Sequence, residues 1–258
     1  MSNLYDAGVN LTSSQFADDL DAVIARAKSA GVASMLAIGC DLDSSKVSLQ
    51  LAEKYNFPCT VGVHPHDAKD APDDLAAQIK ALVESHEQAV AIGECGLDFN
   101  RDFSPRATQK VVCLTQLQLA QAMHKPVYLH EREAHDALYE LLKQVQVSGV
   151  LHCFTSDKTA LRRYLDYGLM IGITGWVCDE RRGQQLQQLL QYIPLDRLLI
   201  ETDAPYLLPR TIKPKPRSRR NEPMYLHYVA QQIATLKQQP TAAVIEATGR
   251  NFRQLFSG

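Results

Sequence analysis

The stretch Ala89-Val90-Ala91-Ile92-Gly93-Glu94 runs through five small or apolar residues and stops on a carboxylate. A short apolar run of this kind reads as a buried strand, which puts Glu94 at its carboxyl end. The same arrangement recurs on both sides of it. Residues 59–63 lead to His64 and His66, 127–129 to His130, 149–151 to His152, and 198–200 to Asp203. Ligand-type residues repeated at the same end of successive strands describe a ring at one mouth of a barrel. Side chains far apart in sequence then converge on one ion. The pattern predicts a metal-dependent enzyme.

The rest of the chain keeps the alternation. Further strands are expected at 4–6, 34–38 and 170–174. Helices are expected at 16–30, 44–55, 73–86, 109–123, 133–145, 158–167, 181–191, 225–236 and 242–256. Eight strand–helix units in a row favour an α/β fold with a parallel sheet, here a TIM (β/α)8 barrel. The length of 258 residues suits such barrels, which run to about 250. A doubly wound open sheet is the competitor, but it gives no reason for ligand-type residues after so many strands. In a barrel, the loops after the strands build the active site. No repeat, low-complexity stretch or linker breaks the alternation, so residues 1–258 are expected to form a single domain.

Twenty-seven Lys and Arg against 29 Asp and Glu leave a formal charge of −2, which argues against a protein that coats nucleic acid by bulk charge. One segment departs locally. Residues 211–220 hold Lys213, Lys215, Arg217, Arg219 and Arg220 with two prolines, directly after the last strand. On the rim of the ligand-bearing mouth, such cations would draw in a phosphodiester backbone without reading bases. Arg219 and Arg220 are taken as substrate contacts, and Arg132, two positions beyond His130, is grouped with them. The six cysteines include no C-x-x-C pair, the first 21 residues lack the pattern of a signal peptide, and no apolar run nears the ~18 residues of a membrane span. A reduced, cytoplasmic protein, monomeric and without membrane contact, is expected.

Glu94, His130, His152 and Asp203 supply two carboxylates and two imidazoles, a set that suits Mg²⁺, Mn²⁺ or Zn²⁺. A bound ion could polarise a phosphoryl oxygen and acidify a water. Glu94, Asp203 and His66 are the expected catalytic residues: Asp203 could act as general base, and His66 could meet the phosphate or the leaving group. His64, in the same His64-Pro65-His66 turn, is expected at the substrate. His86, His124, His135 and His227 fall in helical stretches and read as surface or core residues. Asn221, ahead of Pro223, reads as a helix cap.

The stretches GVHPHDA (62–68), AIGECGLDFNRDFS (91–104), LHCFT (151–155), IGITGWVCDERRG (171–183), LLIETDAPYLLPR (198–210) and RRNEP (219–223) resemble the TatD family of metal-dependent deoxyribonucleases. The likeness runs over essentially the whole chain, and its opening and the GWVCDERRG stretch look closest to the family's namesake. The resemblance implies a TIM barrel of the metallo-dependent hydrolase type, a divalent metal, with Mg²⁺ favoured over Mn²⁺ or Zn²⁺, and 3′-to-5′ exonuclease action on single-stranded DNA and on RNA. It places the family's metal ligands on Glu94, His130, His152 and Asp203, with His64 and His66 in the substrate region. Most of the family opens with D-x-H-x-H, whereas Gly8 and Asn10 stand at those places here. One well-held ion is therefore expected rather than a pair. Glu131 replaces a common Cys, and Cys113 stands where an aromatic is usual.

Two other readings compete. An amidohydrolase-type lactonase, amidase or phosphotriesterase on the same barrel would often use the H-x-H pair and a bridging lysine on the fourth strand, and both are missing here. A non-catalytic nucleic-acid-binding or scaffold protein with a vestigial site is favoured by the lost pair and opposed by the four retained ligands.

Overall fold

The computed structural model describes residues 3–256. Eight strands alternate with helices: β1 (Leu4–Val9), α1 (Leu20–Ser29), β2 (Val32–Ala37), α2 (Leu42–Tyr55), β3 (Cys59–Val61), α3 (Leu75–Ser85), β4 (Ala89–Asp98), α4 (Arg106–Met123), β5 (Val127–Arg132), α5 (His135–Leu142), β6 (Gly149–Leu151), α6 (Lys158–Tyr167), β7 (Met170–Ile173), α7 (Gln184–Leu189), β8 (Leu198–Ile200), α8 (Leu226–Lys237) and α9 (Thr241–Phe256). The sheet runs in the order β1 to β8, and β2 to β6 pair in parallel, as do β7 and β8. Parallel strands in sequence order, each followed by a helix, are the (β/α)8 TIM-barrel fold. Among the described residues no helix is long and apolar enough to cross a membrane.

Local chemistry explains the elements. Parallel strands are covered on both faces and so read as continuous apolar runs; all ten residues of β4 are buried. α2 begins on a reciprocal cap: Asp41 accepts from the Ser44 amide at 2.7 Å while Ser44 Oγ accepts from the Asp41 amide at 2.9 Å. It ends at Asn56, which turns left-handed with φ 57°. α4 buries Gln109, Val112, Cys113, Gln116, Leu117 and Ala120, a stripe of helical spacing that includes two amides.

Contact density divides the chain into two units. One comprises Met1–Leu36, Cys153–Asp157 and Ile171–Gln254; the other comprises Ala37–His152, Lys158–Met170 and Leu255–Gly258.

Several boundaries differ from those the sequence suggests. β4 runs four residues beyond Glu94, so that carboxylate stands inside a strand rather than at its end. His130 likewise lies within β5. α1 starts at Leu20 because Ser14–Phe16 form a separate 3-10 turn capped by Ser13. α7 starts only at Gln184, since Asp179 accepts from the amides of Arg181 and Arg182 and makes a turn of the stretch read as helix. Asn221 caps no helix: it is buried, its Nδ2 donates to the Thr202 carbonyl at 2.9 Å, and α8 begins five residues later.

Candidate metal centre

Two glycines prepare β4 for its carboxylate. Gly93 and Gly96 have φ of 138° and 146°, and a Cβ at either would collide with the carbonyl oxygen of Tyr128 or His130. The register against β5 slips between Ile92 and Cys95. The bulge turns Glu94 toward three imidazoles, since a strand that gains a residue re-aims its side chains.

One oxygen, Glu94 Oε1, has His130 Nδ1 at 2.9 Å, His152 Nε2 at 3.0 Å and His64 Nε2 at 3.3 Å. Glu94 is 6 % exposed. An oxygen with two lone pairs cannot satisfy three ring donors at once, so hydrogen bonding alone does not account for the cluster. Ring lone pairs and a carboxylate gathered on one point fit a divalent cation, and His64, Glu94 and His130 lie close enough to hold one. Burial raises the Glu94 pKa, but His152, His64 and the His130 bond reverse this and hold it well below the usual carboxylate range. Burial lowers His64 to about 4, which keeps it neutral near pH 7. Its Nδ1 accepts from the His66 amide at 3.1 Å, so its proton sits on Nε2, facing Glu94. For His130, burial works against the charged ring, and the neighbouring Asp98 and Glu94 carboxylates outweigh it, raising its pKa.

Asp98 and His66 form a second pair beside this cluster. His66 Nε2 lies 2.7 Å from Asp98 Oδ2, and His130 Nε2 lies 3.5 Å from the same oxygen. Asp98 is buried, which raises its pKa, but His130, the Arg101 amide and His66 together lower it. The two amides of α4 fasten the strand ends that carry these groups. Gln116 accepts from the Val63 amide at 2.8 Å and donates to the Val63 carbonyl at 3.0 Å, one residue before His64. Gln109 does the same for Asp98, at 2.8 Å and 3.1 Å. Asp98, Gln109 and Gln116 escaped the sequence reading. The available signal was two amides seven residues apart on an otherwise apolar stripe.

Asp203 belongs to the other unit. It has φ 53°, its amide donates to the Gly8 carbonyl at 3.0 Å, and its Oδ1 accepts from Asn10 Nδ2 at 2.9 Å. Asn10, one of the two residues standing in place of imidazoles, thus orients a carboxylate. Asp6, fully buried, accepts from the Thr202 amide and hydroxyl at 2.8 Å and 2.6 Å, and burial pushes its pKa up to about 8. Glu201 accepts from the Cys153 amide.

Of the basic residues, Lys213, Lys215, Arg217, Arg219 and Arg132 are exposed. Arg220 has a different occupation. Its guanidinium donates to Asp19, Glu222 and the Gln15 carbonyl at 2.7–2.8 Å, while Arg26 binds Glu222 and Asp19 from the other side. His135 opens α5 and His227 lies in α8, whereas His124 and His86 close α4 and α3. Among the described residues, none of the six cysteines is joined in a disulfide.

The family model described as TatD related DNase matches residues 5–257. A protein of Erwinia tasmaniensis named 3′-5′ ssDNA/RNA exonuclease TatD is 49% identical, the match covering 98% of this chain and 100% of that one. A protein of the same name from Klebsiella pneumoniae is 50% identical over 98% and 97%. Among solved structures, a TatD homologue from Escherichia coli has a TM-score of 0.90 at 27% identity, covering 100% of this chain and 99% of its own. A match over nearly the full length, at this identity and with this fold, means that the chain belongs to the TatD family of nucleases.

Proposed function

We propose that the protein is a divalent-metal-dependent 3′-to-5′ exonuclease that hydrolyses phosphodiester bonds in single-stranded DNA and in RNA. The observation that carries this reading is the convergence of His64, His130 and His152 on one oxygen of a buried, ionised Glu94. Glu94, His130, His152 and Asp203 would hold one ion, Mg²⁺ being favoured, with Mn²⁺ and Zn²⁺ compatible with two imidazoles. His64 lies close enough to join this set, but with its Nδ1 accepting from the His66 amide its Nε2 donates to Glu94 and orients it. When bound, the ion supplies Lewis acidity at a phosphoryl oxygen and acidifies the attacking water. Asp203, steadied by Asn10, takes the water's proton as general base. The water oxygen bonds to phosphorus, and the bond from phosphorus to the leaving sugar oxygen breaks. His66, paired with Asp98, donates to the phosphate or to that oxygen. Arg132, Arg219, Lys213, Lys215 and Arg217 hold the strand's phosphates, and Arg220 is reassigned as an anchor for their segment. The protein acts as a cytoplasmic monomer.

The test is degradation of end-labelled single-stranded DNA and RNA with Mg²⁺, Mn²⁺, Zn²⁺ or a chelator. Wild type should shorten strands from the 3′ end in the presence of metal only. A Glu94→Ala, His152→Ala double variant should bind metal weakly and lose at least about 100-fold in rate, as expected when several kcal/mol of charge stabilisation are removed. Near wild-type turnover by that variant would refute the assignment. Cleavage of lactone or phosphotriester but not oligonucleotide would favour the amidohydrolase reading.

A further inference from the structure

Phe103 is 56 % exposed, in a chain that buries most of its large apolar side chains. Its ring meets His66 edge to face, with centroids 4.8 Å apart and planes at 66°. His66 is the histidine bonded to Asp98, and its ring lies 4.3 Å from that of His64. An aromatic ring therefore stands in solvent directly beside a group proposed to meet the phosphate.

The loop that carries it is tightly held. Ser104 Oγ donates to the His66 carbonyl at 2.8 Å and accepts from the Lys69 amide at 3.0 Å. Gln109 Nε2 reaches the Ser104 carbonyl at 2.8 Å. Asp98 Oδ1 accepts from the amides of Asn100 and Arg101 at 3.0 Å and 2.8 Å. Arg106 forks onto both oxygens of Asp102 at 2.8 Å and 2.7 Å. Phe99 in the same loop has its face under the Arg106 guanidinium, 4.5 Å away. A ring fixed in position loses little entropy when a flat partner settles on it.

We infer that Phe103 is the platform on which the terminal base of the strand stacks, seating the nucleotide whose phosphodiester meets the His66–Asp98 pair. The inference rests on the exonuclease reading. Stacking suits that activity because every base has a π-face, so a platform holds the strand end without selecting its sequence. Hydrogen-bond readout of base edges would stall the enzyme at three bases in four.

The experiment compares wild type, Phe103→Ala and Phe103→Trp on single-stranded DNA with an ordinary or an abasic 3′-terminal nucleotide. Removing a base or its aromatic partner typically weakens binding by about tenfold. Wild type should show a KM about tenfold higher on the abasic end, with kcat little changed. Phe103→Ala should show that raised KM on the ordinary end and no further loss on the abasic one, and Phe103→Trp should restore the wild-type pattern. A 3′-terminal 2-aminopurine, bound in the presence of chelator, should be quenched by wild type and Phe103→Trp but not by Phe103→Ala. Equal KM for wild type and Phe103→Ala, with equal quenching, would overturn the inference while leaving the exonuclease reading intact. Absence of oligonucleotide cleavage by wild type with any metal would instead overturn the reading on which it rests.

Discussion

Asp6 has no exposed surface and accepts hydrogen bonds from Thr202 and Gly8. Burial still raises its carboxyl from 3.8 to about 8. The folded pKa lies above the unfolded one, so between them the folded chain keeps a proton that the unfolded chain has released. Stability then falls as pH rises from about 4 to about 8, by at most about 1.4 kcal/mol per unit. Below about 4 both states are protonated and the contribution is constant. Asp6→Asn mimics the neutral acid, so urea unfolding in chelator should show the variant gaining on wild type with each step from pH 5 to 8. Parallel curves would mean that Asp6 is ionised in the folded protein. At this scale the sequence discloses some placements and hides others. That Glu94, His130 and His152 come together was legible because each is a polar side chain breaking or ending an apolar run. Asn10 was not, because its effect is on Asp203, 193 residues away. Asn221 was misread as a helix cap because its partner, the Thr202 carbonyl, is likewise remote.

The elements were legible in number and order, since alternating apolar runs and amphipathic stretches need only local pattern. Their ends were less so. β4 outran its expected stop because Gly93 and Gly96 bend a strand that goes on to Asp98; glycine in sequence signals a turn as readily as a bulge. α4 shows what local pattern cannot reveal, namely that a helix facing the sheet can serve as a jig. Gln116 is fully buried and both of its amide atoms bond Val63. Gln116→Leu would leave a buried N–H and C=O unpaired, each worth about 1–3 kcal/mol. We expect a loss of about 2–4 kcal/mol in urea unfolding and a fall in kcat, with His64 no longer held against Glu94. Unchanged kcat in a destabilised variant would make Gln116 a folding residue alone.

Across the whole molecule the near-neutral charge hides a concentrated one. Lys213, Lys215, Arg217 and Arg219 are exposed, and if they hold phosphates, binding releases counterions. Neutralising three of them should raise KM for oligonucleotides and flatten its dependence on log salt by about 2, at ~0.7 per single-strand phosphate. Turnover of a nitrophenyl thymidine phosphate should hardly change; equal loss on both substrates would make the segment part of the catalytic frame. The segment is fastened at both ends, by Arg210 to Glu180 at 2.9 Å and 2.7 Å and by Arg220 to Asp19 and Glu222. Its cations are therefore carried on a closed strap rather than a loose tail. If those cations hold phosphates, a strap of that kind would keep its grip on a strand after each nucleotide departs. The enzyme would then work processively in dilute salt, taking one molecule down to a short remnant while others wait untouched, and become distributive as salt loosens the hold.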